Sequence, residues 1–297
     1  MTDPTARTAS RPDTGLVRLG LIGGNIALSK APLLHRLAGA LCGLDVTYDL
    51  LVPRERGETF DETFEFCRAS GYRGINVTYP YKEVATAKVT IDDPLVRGIG
   101  AVNTVVFYAA GPKGYNTDYS GFIAGFRKVL PDAPAGRVLM IGAGGVGKAI
   151  AFALLKLGLR SLVIVDLDTA KAEALAECMR QAAPDVDVAV ADDPARAAGA
   201  VDGLINCTPV GMDGHEGTPL AREHMAGAKW AFDAVYTPVD TRFLADAAAE
   251  GLTVISGYEL FFHQGVDAWT IFSGLDVDND ALRRRLAEAG AGPGGRE

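Results

Sequence analysis

Between Arg137 and Asp168 the chain reads RVLMIGAGGVGKAIAFALLKLGLRSLVIVDLD, an order of residues that few folds accommodate. The apolar run Val138 to Ile141 predicts a strand and Val146 to Leu157 a helix. Leu162 to Val165 predicts a second strand, ending on Asp166. The first strand and the helix are joined by Gly142-Ala143-Gly144-Gly145-Val146-Gly147, which holds glycines at G-x-G-x-x-G spacing. The first glycine permits a tight turn. The second lets backbone N–H groups reach a pyrophosphate, and the third lets the helix pack close to the strand. The helix N-terminus then faces the phosphates with its partial positive charge. Glycine-rich loops are common, so the spacing alone is a weak signal. Here the strand, the helix and an acidic residue about 20 residues on all fall where the mechanism needs them. The segment therefore predicts a dinucleotide site formed by Gly142 to Gly147, with Asp166 and Leu167 at the end of the second strand.

A chain of 297 residues has room for two domains, on a guide of about 150 residues each. Its net charge of -8 argues against nucleic acid or an acidic membrane surface as a partner. The first 16 residues are polar and contain proline, and AGAGPGGRE closes the chain. Flexible termini are expected over 1–16 and 291–297, with no secretory signal. No apolar run approaches the ~20 residues of a membrane span. Cys42, Cys67, Cys178 and Cys207 lack C-x-x-C spacing, which fits reduced thiols in the cytoplasm. The four histidines are scattered, so no metal site is expected.

Ahead of the glycine turn lies an α/β pattern without a glycine fingerprint. Strands are expected at Val17 to Gly23, Val46 to Val52, Tyr72 to Thr78 and Ala101 to Tyr108, with helices at Ala31 to Leu44 and Thr59 to Ser70. A helix from Tyr119 to Leu130 leads into the nucleotide domain. Strands follow at Val186 to Val190, Gly203 to Cys207, Trp230 to Val235 and Leu252 to Ile255, then helices at Tyr258 to Phe272 and Asn279 to Ala289. The expected architecture is a two-domain α/β protein. Residues 17–118, completed by C-terminal helices over 257–290, form a substrate domain, and 119–256 form a Rossmann-like dinucleotide-binding domain. The active site is expected in the cleft between them, where ligand pockets prefer to form.

Polar clusters interrupt or end the apolar runs of the first domain. They are Asn25 to His35, NVTYPYKE from Asn76, GAVNT ending at Thr104, and GYNTDYSG from Gly114. In open α/β sheets, ligands bind beyond the carboxyl ends of strands. Lys82 and Asp118 are the best acid/base candidates, since oxidising an alcohol by hydride transfer needs a base at the hydroxyl. Taken singly, Lys82 reads as a solvated lysine at a helix start and Asp118 as an N-cap for the next helix. Asn76 and Asn103 read as turn residues, and His35 as a packed or surface histidine.

Taken together, these clusters resemble the shikimate/quinate dehydrogenase family. The resemblance spans roughly Leu19 to Leu286 and rests on GGNIALSKAPLLH, NVTxPxKE, GAVNT, N-T-D-x-x-G, GAGGxGxA, the N-x-T-P-x-G-M stretch from Asn206 to Met212, and the late helix with Gln264. It implies that Lys82, paired with Asp118, transfers the proton of the hydroxyl being oxidised. Asn76 and Asn103 would bind neighbouring hydroxyls, and Gln264 would reach in from its helix. Ser29 and Thr78 would lie near the carboxylate or ring hydroxyls, with Tyr236 near the carboxylate. Asn206, Thr208, Pro209 and Met212 would line the nicotinamide pocket. The implied partner is a small cyclohexane carboxylate, and the implied enzyme is a cytoplasmic monomer or homodimer.

Two departures from the family pattern matter. Ala31 stands where a second hydroxyl residue is usual and Leu28 where histidine is frequent. The missing donor to a bound carboxylate is worth about 1.5–3 kcal/mol. In place of the basic turn that grips the 2′-phosphate of NADP, the chain has Asp166-Leu167-Asp168, with Lys171 as the nearby cation. A carboxylate at 166 accepts hydrogen bonds from the ribose hydroxyls of NAD and repels the extra phosphate. NAD is expected rather than NADP, as in the NAD-preferring quinate/shikimate dehydrogenases. The alternatives are the same chemistry on an amino-shikimate-like cyclohexane polyol, or a non-catalytic NAD-binding regulatory module.

Overall fold

The computed structural model describes residues 15–292. The flexible termini expected at 1–16 and 291–297 lie outside the described residues, apart from two at each inner edge. Of those, Leu16 opens the first strand and Ala291 is buried. The chain divides into two compact units, one made of residues up to Thr117 together with those from Gln264 onward, the other of Asp118–His263.

The first unit is built on a mixed five-stranded sheet in the order β2-β1-β3-β4-β5. Its elements run β1 (Leu16–Ile22), α1 (Ala31–Leu41), β2 (Asp45–Leu51), α2 (Pro53–Arg56), α3 (Phe60–Ala69), β3 (Gly74–Val77), α4 (Pro94–Ile99), β4 (Thr104–Tyr108) and β5 (Gly111–Tyr115). β1 pairs in parallel with β2 and β3, while β3–β4 and β4–β5 are antiparallel. α1 stops at Leu41, three residues short of the expected Leu44, because Gly43 takes a left-handed φ of 71°. α3 is set by a capping box between Thr59 and Glu62. β5, sequence GPKGY, was not expected as a strand. It is an edge strand, where proline is tolerated, and a short hairpin from Tyr108 to Gly111 places it.

The second unit carries a six-stranded, all-parallel sheet. α5 (Thr117–Val129) leads into β6 (Gly136–Ile141), α6 (Gly145–Lys156), β7 (Leu159–Val165), α7 (Thr169–Ala182), β8 (Asp187–Val190) and α8 (Pro194–Ala197). Then come β9 (Gly203–Asn206), β10 (Trp230–Asp233), α9 (Arg242–Ala249), β11 (Thr253–Ile255) and α10 (Gly257–Ser273), before α11 (Asn279–Glu288). The strand order β8-β7-β6-β9-β10-β11 reverses direction between β6 and β9, as in doubly wound dinucleotide-binding sheets. Such sheets bind ligands at that switch point.

α5 is fastened to this sheet by aromatic edges. Phe122 meets Phe232 at 4.8 Å and 80°, and Phe126 meets Trp230 at 5.1 Å and 89°. The second division of the chain falls inside α10 rather than at its start. Phe261, in the first half of that helix, stacks on Tyr236 at 5.0 Å, and Glu259 pairs with Lys128 at 3.0 Å. In the second half, Gly265 lies against Leu34, and Trp269 and Phe272 pack around His35. Phe122 is almost wholly buried, so Phe122→Ala is expected to cost about 3–5 kcal/mol of stability. Urea unfolding of the variant, with an unchanged midpoint as the contrary result, checks that packing.

Candidate active site

In the first unit, three loops meet at one end of the sheet because β1 and β3 finish there and the antiparallel β4 begins there. Gly23, just after β1, approaches Thr78 so closely that a Cβ would overlap the Thr78 methyl. The Thr78 N–H donates to the Ile22 carbonyl and the Gly24 N–H to the Tyr79 carbonyl, both at 2.9 Å. Ser29 lies on the same β1–α1 loop, and its Oγ accepts the Ala31 N–H at 3.3 Å. Leu28 beside it is 74% exposed.

Lys82 is buried, not solvated. Its carbonyl accepts the Val102 N–H at 2.8 Å, which ties the NVTYPYKE turn to the GAVNT loop. Asp118 is also buried and lies inside the first turn of α5, not at its cap.

Asn76 and Asn103 are joined through a buried polar network. Asn76 Nδ2 donates to the Asn103 carbonyl at 3.2 Å and to Thr104 Oγ1 at 3.0 Å, while its Oδ1 accepts the Tyr48 hydroxyl at 2.9 Å. His35 also bonds Asn76. Its imidazole stacks on Tyr48 at 5.1 Å, and burial lowers its pKa to about 3, so the ring is neutral. Asn103 Oδ1 accepts the Thr117 N–H at 2.8 Å, and its Nδ2 donates to Thr117 Oγ1 at 3.1 Å. Thr117 in turn reaches Gln264 Oε1 at 3.4 Å. Asn76, Asn103 and Gln264 thus share one hydrogen-bonded framework, linked by Thr104 and Thr117, and Ser29 and Thr78 lie on the loops beside it. Thr104 closes GAVNT and Thr117 lies in GYNTDYSG, yet taken alone neither pattern distinguishes a linking hydroxyl from a strand or helix start.

In the second unit, the glycine turn has the shape a dinucleotide requires. Gly142 has φ 104°, and a Cβ on it would meet the Cys207 carbonyl carbon at 2.7 Å. A Cβ on Gly147 would overlap the Gly142 carbonyl oxygen, so α6 sits directly on the turn. Gly144 differs, for a Cβ there meets nothing within 4 Å. The turn is closed on its protein side and open in front of Gly144, the cradle a pyrophosphate needs. Asp166 is partly exposed at the end of β7, and Leu167 projects fully into solvent. Lys171 pairs with Asp168 at 3.7 Å.

Asn206 ends β9 and is wholly buried. Its Oδ1 accepts the N–H and hydroxyl of Thr208 at 2.9 and 2.7 Å, and its Nδ2 donates to the Val210 carbonyl at 3.0 Å and Asp233 Oδ1 at 2.9 Å. The side chain is engaged in shaping the Thr208–Met212 loop. Asp233, which sequence reasoning passed over, ends β10 opposite Asn206. Its carboxylate also accepts the Val235 N–H at 3.0 Å and the Thr241 hydroxyl at 2.7 Å. The signal was a lone acid closing the apolar strand WAFD, just as an asparagine closes GLIN.

Among the described residues no cluster of acidic, histidine and cysteine side chains is placed to hold a metal, and no helix is long and apolar enough to cross a membrane. Burial raises the pKa of Asp233 from 3.8 to about 6 despite its three donors. The folded chain therefore holds this proton more tightly than the unfolded one. The stabilisation is full below about pH 3.8, and about 3 kcal/mol is lost as pH rises through 6. The melting-temperature advantage of the parent over Asp233→Asn is expected to shrink between about pH 4.5 and about pH 7.5. A constant difference across that range would be incompatible with the raised value.

A family model described as the shikimate dehydrogenase substrate binding domain matches residues 21–105. A quinate/shikimate dehydrogenase (NAD(+)) of Corynebacterium efficiens is 37% identical over 276 residues, covering 90% of this chain and 96% of that protein. A shikimate dehydrogenase (NADP(+)) of Pseudarthrobacter chlorophenolicus is 38% identical over 276 residues, covering 91% and 94%. The solved structure of quinate dehydrogenase from Corynebacterium glutamicum in complex with NAD superposes with a TM-score of 0.85 at 35% identity, covering 92% of this chain and 99% of that one.

Proposed function

Because the chain belongs to the shikimate/quinate dehydrogenase family, we propose that it reversibly oxidises a ring hydroxyl of shikimate, quinate or both to the 3-dehydro ketone, with NAD. It is an oxidoreductase acting on CH–OH groups, with a nicotinamide cofactor. A bound nicotinamide would supply the acceptor for the hydride, the hydrogen and electron pair of the C–H bond. The hydroxyl proton leaves separately and C=O forms. Lys82 Nζ receives that proton, and Asp118 is assigned the second contact to the same hydroxyl. Asn103, Gln264 and Thr78 would orient the neighbouring hydroxyls, with Ser29 and Tyr236 at the carboxylate. Asn76 would act through the network that carries Asn103. Gly142 to Gly147, with Asp166 and Leu167, would hold the dinucleotide, and Thr208, Pro209 and Met212, on the loop anchored by Asn206, would line its nicotinamide.

One observation carries the reading: buried Lys82 and the Asn76–Asn103–Thr117–Gln264 framework accompany an open glycine turn in the same chain. A binding-only module needs the turn but not that framework. The preference for NAD rests on the two carboxylates of Asp166-Leu167-Asp168, which would oppose a 2′-phosphate. The four cysteines are unpaired, which suits the cytoplasm. Ala31 favours a second reading, an amino-shikimate-like polyol whose acid group is held with one donor fewer.

Steady-state rates for shikimate, quinate and amino-shikimate, each with NAD and with NADP, test these readings. Turnover of shikimate or quinate with kcat/KM at least tenfold higher for NAD is expected. No turnover with any of them would remove the enzymatic reading. Lys82→Ala is expected to lower kcat by about 10²–10⁴-fold while NAD still binds. Unchanged turnover would end the lysine's assignment.

A further inference from the structure

The Asp166 carboxylate, proposed above to oppose a 2′-phosphate, is also bonded to the glycine turn. Asp166 Oδ2 accepts the Ala143 N–H at 2.7 Å, and Oδ1 accepts the Asp168 N–H at 2.9 Å. The preceding amide, Gly142 N–H, donates to the Val165 carbonyl at 2.7 Å. Two consecutive amides of the glycine turn are therefore tied to Val165, the last residue of β7, and to Asp166 directly after it. Ala143 is wholly buried, and its N–H would lose the acceptor seen here if the carboxylate were removed. Directly after it comes Gly144, the residue with open space before it.

We propose that Asp166 is a positioning residue that braces the glycine turn through Ala143, in addition to being the charge that opposes a 2′-phosphate. The inference rests on the reading that a nicotinamide dinucleotide binds at this turn. It separates two effects of one side chain. The charge acts on NADP alone, whereas the brace acts on the pyrophosphate that NAD and NADP share. Removing the acid by truncation therefore does not open the site to NADP, because the same change loosens the turn. An asparagine at 166 keeps one acceptor oxygen for the Ala143 N–H and loses the charge.

The two uncharged variants Asp166→Asn and Asp166→Ala isolate the brace. Dissociation constants of NAD and NADP for both variants and the parent, measured by calorimetric titration of the full chain, give the first readout. The alanine variant is expected to bind both dinucleotides about tenfold more weakly than the asparagine variant, by a similar factor for each. Equal affinities of the two variants would overturn the brace. A difference for NAD alone would also overturn it, by assigning the effect to the ribose hydroxyl. Hydrogen exchange at the Ala143 amide without ligand gives the second readout. Exchange is expected to be faster in Asp166→Ala and close to the parent in Asp166→Asn, and identical exchange in both would again refute the brace. If the parent itself binds neither dinucleotide, the cofactor reading falls first and the brace with it.

Discussion

The second unit depends on how closely two loops approach at the switch point of its sheet. Gly142 follows β6 and Cys207 follows β9, and their backbones meet at a separation that leaves no space for a Cβ. The left-handed φ of Gly142 aims the chain into α6, and Gly147 lets that helix rest on the turn. The protein side of the turn is filled, and open space lies before Gly144. Backbone geometry thus defines the shape of this turn.

The first unit follows a different rule. Its polar residues at the strand ends are side chains that hold one another. Asn76 spends its amide on Asn103 and Thr104 and its oxygen on Tyr48. Such a network is costly to leave half-satisfied in a low-dielectric interior, so it fixes the rotamers of the residues at its edge. The neutral state of His35 keeps an unpaired charge out of the aromatic packing of Tyr48, Trp269 and Phe272. The Asn206–Asp233–Thr241 group does the corresponding work below the Thr208–Met212 loop.

Much of the fold was legible because hydrophobic periodicity and glycine spacing are local signals. The strand, turn and helix around Gly142 and the parallel strands after it could be read from the chain alone. β5 could not, since GPKGY has no strand pattern and forms only because β4 offers it a partner edge. The end of α1 was set by Gly43, a single backbone conformation inside an otherwise helical run. Within the site, residue types were legible but their duties were not. Lys82 reads as a surface lysine by itself, and only tertiary packing buries it.

The sequence by itself determined the glycine turn, most of the strands and the motifs that mark the family, because each is written in neighbouring residues. Tertiary structure decided which polar atoms are consumed in holding others. Asn206 finds its acceptor 27 residues away on the adjacent strand, and Thr117 finds Gln264 147 residues away. Hydrogen-bond satisfaction depends on groups brought together only by folding, so no reading of spacing could assign it. The same reason makes Asp166 more than a charge: its acceptors lie within reach of Ala143, 23 residues earlier, once β6 and β7 pair in register.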